Sequence, residues 1–325
     1  MPTKRALRRA TGSIALAALA GAAFLTVPAS AQSLPPYLAL NPLLTSRSGV
    51  YFQPYVDGGR TWDVGFLLDY GSSIEYATRS DASLILDGEL LRLDATVIRN
   101  VGPGFVGISA GLNGSYDGFL DGFLDWYHDL TGLRVAAREV RPRNRFEFSH
   151  KLPNGDSLAR PVRSSFLGDV RLMGGVRLTR HWQTTLAITL PTGPAGYGRE
   201  TVSASLLNTV RFPLSDRWTT EAAFGIGTTP RAGALESIQK TTFVSASGGL
   251  RFRFWGRQAA FINLFYQSAN YEGVGLRAFD GRELTIDYGF LLKAKKGPEW
   301  FLGMTEDLEP LGPAIDLSFR IGARW

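Results

Sequence analysis

The sequence has no cysteine and only three histidines. The first absence excludes a disulfide framework and any thiolate metal site. The second means that imidazole chemistry would have to rest on His128, His150 or His181. Long hydrophobic runs are also missing: no stretch after the N-terminal region approaches the ~18 uninterrupted apolar residues of a membrane-spanning helix. Fully apolar strand segments and periodic helices, which a soluble α/β enzyme of this length needs, are likewise scarce. An excess of charge is lacking too once the N-terminal region is set aside. The whole chain carries 35 basic and 29 acidic residues, but Lys4, Arg5, Arg8 and Arg9 lie in the first 31 positions, which leaves 31 − 29 = +2. So small a balance gives no electrostatic footprint for nucleic acid.

Those first residues have the three parts of a secretory leader. The four basic residues come first, then an apolar run from Ile14 to Val27, then Ala29-Ser30-Ala31. The expected reading is a signal peptide over 1–31, cleaved before Gln32. Arg8-Arg9 lacks the apolar continuation of a twin-arginine signal, so the ordinary export route is expected. Residues 32–60, with Pro35-Pro36 and Pro54, then form a periplasmic segment, a plug or an extra strand.

What the chain has in quantity is glycine, 37 residues, and aromatics, 12%, at a mean hydropathy of −0.03. Its main pattern is alternation. Trp62, Val64, Phe66, Leu68 and Tyr70 interleave with Asp63, Gly65, Leu67 and Asp69, and the same period recurs around Val170, Leu186, Val244 and Leu284. Successive side chains on a strand point to opposite faces, so each such segment is apolar on one side and polar on the other. Strands are expected near 61–76, 84–99, 104–114, 165–178, 181–190, 201–212, 217–227, 241–254, 259–270, 282–294, 299–305 and 314–325. Tight connectors at 100–103, 179–180, 213–216, 255–258 and 295–298 alternate with longer ones at 77–83, 115–164, 191–200, 228–240, 271–281 and 306–313. A transmembrane barrel has that asymmetry, short turns on one rim and long loops on the other, and a soluble sandwich has no reason for it. The predicted fold is a closed antiparallel transmembrane β-barrel over 61–325. Twelve strands are counted, with ten to fourteen admissible because Gly88 breaks the phase of the second strand and marks a bulge or a turn.

The last strand alternates to its final residue: Phe319, Ile321 and Trp325 oppose Ser318, Arg320 and Arg324. An amphipathic terminal strand ending in an aromatic residue resembles the assembly signal of bacterial outer-membrane proteins. The expected partners are therefore outer-membrane lipid and the barrel-assembly machinery. The polar face places Arg171, Arg177, Arg211, Arg251 and Arg253 in the lumen with Asp169, Glu221 and Asp287, alongside Arg92, Arg320, Arg324, Asp63, Asp69, Asp94, Glu283 and Asp316. Two readings follow. The charges cross-pair and fill a bore of intermediate width, or the arginines form a ladder for anions.

Residues 115–164 are far longer than a hairpin requires, and such loops are usually functional. Phe119, Phe123 and Tyr127 recur at helical spacing, as do Leu120 and Leu124, and Asp117, Asp121, Asp125 and His128 form a second stripe. A short amphipathic helix is expected, in a loop that lies outside the cell or folds into the lumen and gates it. The acidic stripe suits a divalent cation or, with Arg138, Arg141, Arg143 and Arg145 following, an acid-to-arginine latch onto the rim or lumen. The segment from Gly118 to His128, the Gly132-Leu133 pair, Arg138, Arg141-Pro142-Arg143-Asn144-Arg145 and Met304-Thr305-Glu306-Asp307 together resemble an uncharacterised bacterial family of outer-membrane proteins, a domain of unknown function. Tyr127 stands where that family more often has Phe. The resemblance implies a barrel without an assigned activity, and it points to Asp121, Asp125, His128, Arg138 and Arg143 as the loop residues with a shared role.

The functional expectation is a narrow channel or transporter for small solutes, without a cofactor. A closed structural or adhesive barrel is the alternative, and an outer-membrane lipid hydrolase or protease a further one. Ser149-His150 is no dyad, because neighbours on a strand point apart. The Gly-rich run from Pro191 to Gly198 lacks the lysine of a phosphate loop and reads as a turn.

Overall fold

The computed structural model describes residues 33–47, 52–132, 135–309 and 316–325. The expected leader, 1–31, lies outside them. In chain order the strands are β1 (Trp62–Thr78), β2 (Ser83–Val101), β3 (Gly104–Tyr116), β4 (Glu147–Lys151), β5 (Ser157–Arg160), β6 (Phe166–Leu167), β7 (Val170–Arg177), β8 (Trp182–Leu190), β9 (Ser203–Pro213), β10 (Trp218–Thr228), β11 (Thr242–Trp255), β12 (Gln258–Gln267), β13 (Glu283–Lys293), β14 (Glu299–Asp307) and β15 (Leu317–Arg324). Short helices are α1 (Pro42–Thr45), α2 (Asp121–Thr131), α3 (Ala136–Val140) and α4 (Arg277–Asp280).

Twelve strands close into an antiparallel barrel: β1, β2, β3 and β7 to β15 each pair with their neighbours in order, and β15 returns to β1 over Gly65↔Arg324 to Ser72↔Leu317. Closure pairs the backbone of the first and last strands and removes the free edges of an open sheet. The alternation becomes an outside and an inside. Phe66, Leu68, Leu93, Ile108, Leu186, Phe224, Ile262, Phe290 and Ile321 form an exposed apolar band around the circumference, while Asp69, Arg92, Glu221, Asn263, Asp287 and Arg320 are buried within. Six of the seven tryptophans, Trp62, Trp182, Trp218, Trp255, Trp300 and Trp325, stand at the short-turn rim.

Three features depart from the sequence-based expectation. Gly88 faces Ser73 in unbroken register, so it is neither bulge nor turn. The phase break has another origin. Leu84 and Leu86 point inward to an apolar lid, whereas Asp87 and Glu89 point outward and are covered by the loop after β3. The connector expected at 77–83 is only 79–82, because β1 and β2 keep pairing to Thr78↔Ser83, beyond the ends of the other strands. The β4–β5 hairpin docks on that extension through Ser83↔Lys151 to Asp87↔Glu147. Together with Tyr197, the 3₁₀ turn Gly233–Ile238, Tyr271 and Phe279 on α4, it builds a buried apolar cluster over the long-loop end.

Candidate functional site

The bore is occupied by the chain itself. Residues 33–47 and 52–59 run up from the short-turn rim and back, joined across the two arms by the antiparallel bridge Tyr37↔Phe52, with α1 near the far end. Pro35, Pro36 and Pro54 deny this segment regular ladder bonding, so its buried peptide groups need partners, and the wall supplies them. The Glu221 carboxylate accepts the N–H of Leu34 (3.2 Å) and of Tyr55 (2.5 Å), one from each arm. Gln183 accepts from Val56 N–H (2.7 Å) and donates to Pro54 O (3.1 Å), and Thr209 donates to Gln53 O (3.0 Å). Higher up, Arg92 donates to Ala39 O (2.8 Å) and Leu38 O (2.6 Å), Arg320 to Pro36 O (2.5 Å), and Asn41 to Glu75 (2.5 Å). Near the lid, Arg47 donates to Thr229 O and Pro230 O, both at 2.9 Å. Apolar contacts add to these: Leu34, Tyr37 and Phe52 pack with the inward Leu67, Phe261, Phe265 and Phe301, and Tyr37 stacks on Phe265 at 3.8 Å.

The charges assigned to the lumen are distributed along this plug. Asp287 and Asp69 flank Arg320, at 2.5 and 2.9 Å, and Asp69 also meets Arg92. Arg211 donates to Ser33 (2.8 Å) and lies over the Tyr55 ring, and Arg251 reaches Thr219 (3.3 Å). Arg177 sits at the short-turn rim, bound to Asn100 (2.7 Å) and Gly102 O (2.7 Å), while Arg253 is half-buried on β11. Asp169 lies at the opposite rim, where it accepts from Gly193 N–H (2.9 Å) and Arg199 (3.2 Å). Arg171 is buried on β7 beside cavities of about 60 and 70 Å³ between plug and wall, which have room for a few waters only. Arg92, Arg211 and Arg320 are thus committed to plug atoms and carboxylates. Sequence reasoning missed the plug-facing Gln183 and Thr209, since a neutral amide or hydroxyl on a polar strand face carries no special signal, and it missed Glu75 on the wall and Tyr37 on the plug.

Of the two placements expected for the loop after β3, the lumen is excluded: α2 is neither in the bore nor over it. It lies against the outer wall at the long-loop rim, across the β1–β15 seam. Leu120 and Leu124 pack on Leu317 with Tyr70, Met304 and Phe319 around them, and Phe123 touches Phe319 (5.7 Å between rings). Outward polar residues of the wall also lie beneath this loop, and the loop satisfies them. Glu89 accepts the Phe119 N–H (2.6 Å) and that of Leu120, Glu306 accepts from Tyr127 (3.0 Å), and Asp87 from Arg141 (2.8 Å). Arg138 on α3 is the hub, donating to Asp121 (2.7 Å), Asp316 (2.6 Å) and Ser72 (2.9 Å). His128 also meets Asp316 (3.3 Å), and Arg143 pairs with Asp125 (2.5 Å). Asp316, assigned to the lumen from its parity, belongs to this outer cluster, because it precedes β15 and turns to the arginine there. Burial by itself raises the Asp316 pKa, but the hydrogen bond from His128 and the charge of Arg138 outweigh it and hold the group below the usual carboxylate range. The acidic stripe is therefore split between arginines, and among the described residues no His/Asp/Glu group has the geometry of a metal site.

No protein-family model and no curated protein sequence matches the chain. In fold it is similar to an outer-membrane channel from Pseudomonas putida F1, at 13% identity and a TM-score of 0.52, over 83% of this chain and 99% of that one. Lower-scoring similarities include the KdgM porin (8% identity, 81% and 98% covered, TM-score 0.41) and the Pseudomonas putida toluene transporter TodX (11%, 81% and 88%, 0.40). The shared feature is the closed antiparallel barrel, the architecture of bacterial outer-membrane channels. The three residues expected to carry the assembly signal lie on its outer surface: Phe319 under α2, Ile321 exposed, and Trp325 edge-on to Phe66 at 5.9 Å.

Proposed function

We propose that the protein is a channel or transporter for small solutes in the bacterial outer membrane, held closed by its own N-terminal segment. The apolar band and the tryptophan girdle at one rim suit a bilayer. The observation that carries the channel reading is the bonding of the lumen: Glu221, Gln183, Thr209, Arg92 and Arg320 hydrogen-bond the main chain of a segment that forms no strand of the wall. A barrel serving only as scaffold has no need of a separate filling, since wall side chains of opposite sign suffice to fill a bore of this size. With the plug withdrawn, those same side chains line a polar, mixed-charge passage.

Removing the segment tests this. In planar bilayers the full chain is expected to show rare, brief openings and a chain lacking residues 33–56 to conduct continuously. A deletion variant that folds and carries no current would support the closed structural barrel, to which the apolar lid over the long-loop end otherwise points.

A further inference from the structure

We propose that α2 is an interfacial anchor whose exposed face lies among the acyl chains of the leaflet on the long-loop side, an inference that rests on the outer-membrane reading above. The helix has three faces. Leu120, Leu124 and His128 turn to the barrel and are buried. Asp125 and Asp129 form one flank, beside Arg143. The remaining arc holds Phe123, Trp126 and Leu130, with Phe119 just ahead of the helix and stacked on Tyr70, and these are exposed by 38%, 58%, 69% and, for Phe119, 72%. Residues three and four apart share one side of a helix. Water is a poor neighbour for four large apolar groups in one stripe.

The position of the stripe identifies what covers it. Outward residues on the wall below α2 are apolar as far as Tyr70 and Phe319, and then change to Ser72, Glu89 and Glu306. The helix begins at that transition, its segment shields Glu89 and Glu306 by hydrogen bonding while Arg138 of α3 takes Ser72, and it presents its own apolar arc in their place. Phe123 against Phe319 joins this arc to the exposed band that continues through Ile321 and Phe66. Trp126 is the one tryptophan of seven away from the short-turn rim, and the membrane boundary is where an amphipathic indole is favoured. An amphipathic helix lying in the interface plane with aromatic and leucyl side chains toward lipid fits this arrangement.

Site-directed spin labelling of the mature chain refolded into phosphatidylcholine vesicles tests the assignment, with Phe119→Cys and Leu130→Cys as probes, Phe224→Cys on the barrel band and Asn154→Cys in the β4–β5 turn as references. Expected is a nitroxide at 119 and 130 relaxed by oxygen and shielded from a water-soluble nickel chelate, as at 224 and opposite to 154. If 224 is shielded but 119 and 130 are open to nickel, the helix faces water and the inference is overturned while the membrane reading stands. Nickel access at 224 as well overturns the membrane reading itself. Spin–spin broadening at 119 and 130 that grows with the protein-to-lipid ratio means a second copy covers the stripe, and it too overturns the inference.

Discussion

Replacing Glu221 with alanine isolates the hold of the wall on the plug. The carboxylate accepts one main-chain N–H from the ascending arm, at Leu34, and one from the descending arm, at Tyr55, and the residue is 1% exposed. Hydrogen bonds to a charged group contribute about 1.5–3 kcal/mol each, and the two N–H groups left behind stay buried without an acceptor unless the plug moves out. Taking the lower figure for both gives a loss of ~3 kcal/mol, which raises the withdrawn population roughly a hundredfold, at 1.4 kcal/mol per decade. Planar-bilayer recording at neutral pH reads this directly as the fraction of time open. Glu221→Gln, which keeps an acceptor oxygen of the same reach, is expected to fall between the parent and Glu221→Ala. The reasoning is refuted if Glu221→Ala folds, opens no more often than the parent, and the chain lacking 33–56 nevertheless conducts, for then something other than this carboxylate retains the plug.

Three further outcomes follow from the outer wall and the sheet. Arg138→Ala removes the arginine from two largely buried carboxylates, leaving Asp121 only the Asn144 N–H and Asp316 only His128 as side-chain partner. Breaking such a pair from one side costs on the order of 3–5 kcal/mol, so tryptic cleavage at Arg143 and Arg145 in the folded protein is expected to accelerate about a hundredfold or more, with Arg138→Lys in between. Because the Asp316 pKa is depressed in the folded state, its contribution is complete above the unfolded carboxylate value near 4 and fades as pH falls through the lower folded value. A label at Leu130→Cys should stay immobile from pH 8 to 5 and loosen only in stronger acid, whereas loosening between pH 7 and 6 would assign the switch to another group. Gly289→Ala places a Cβ 2.0 Å from the Leu302 carbonyl and 2.6 Å from the Gly303 Cα on the paired strand. The backbone of the paired strand cannot yield without loss of register, so refolding yield, read by the heat-dependent gel shift of barrels, should drop sharply.

The barrel was legible in the sequence because a strand's period of two is local: the outward Phe66, Leu68 and Tyr70 and the inward Asp69 announce their faces without knowledge of any neighbour. The alternating connector lengths supplied the closure and the count. The loop helix was legible from its spacing, and the pairing of acids with arginines from their succession, but not the side of the wall on which they meet. That side is decided by Asp87, Glu89 and Glu306, outward carboxylates that look like lumen residues out of phase until the loop covering them is seen. The partners of the plug were hidden for a related reason. Gln183 and Thr209 matter through main-chain atoms of residues more than a hundred positions away, and no periodicity reports such a contact.

Both arms of the N-terminal hairpin open toward the rim of tight turns: Ser33 lies by Arg211 at one end, and Val56 by Gln183 and Arg177 at the other. A doubled strand of this kind can slide in or out of a finished cylinder like a folded cord into a tube, with no chain end having to be threaded past the far lip. On the proposed function the stopper is drawn toward the tight-turn rim and takes Leu43 out of the apolar lid at the other end, so one withdrawal loosens both barriers.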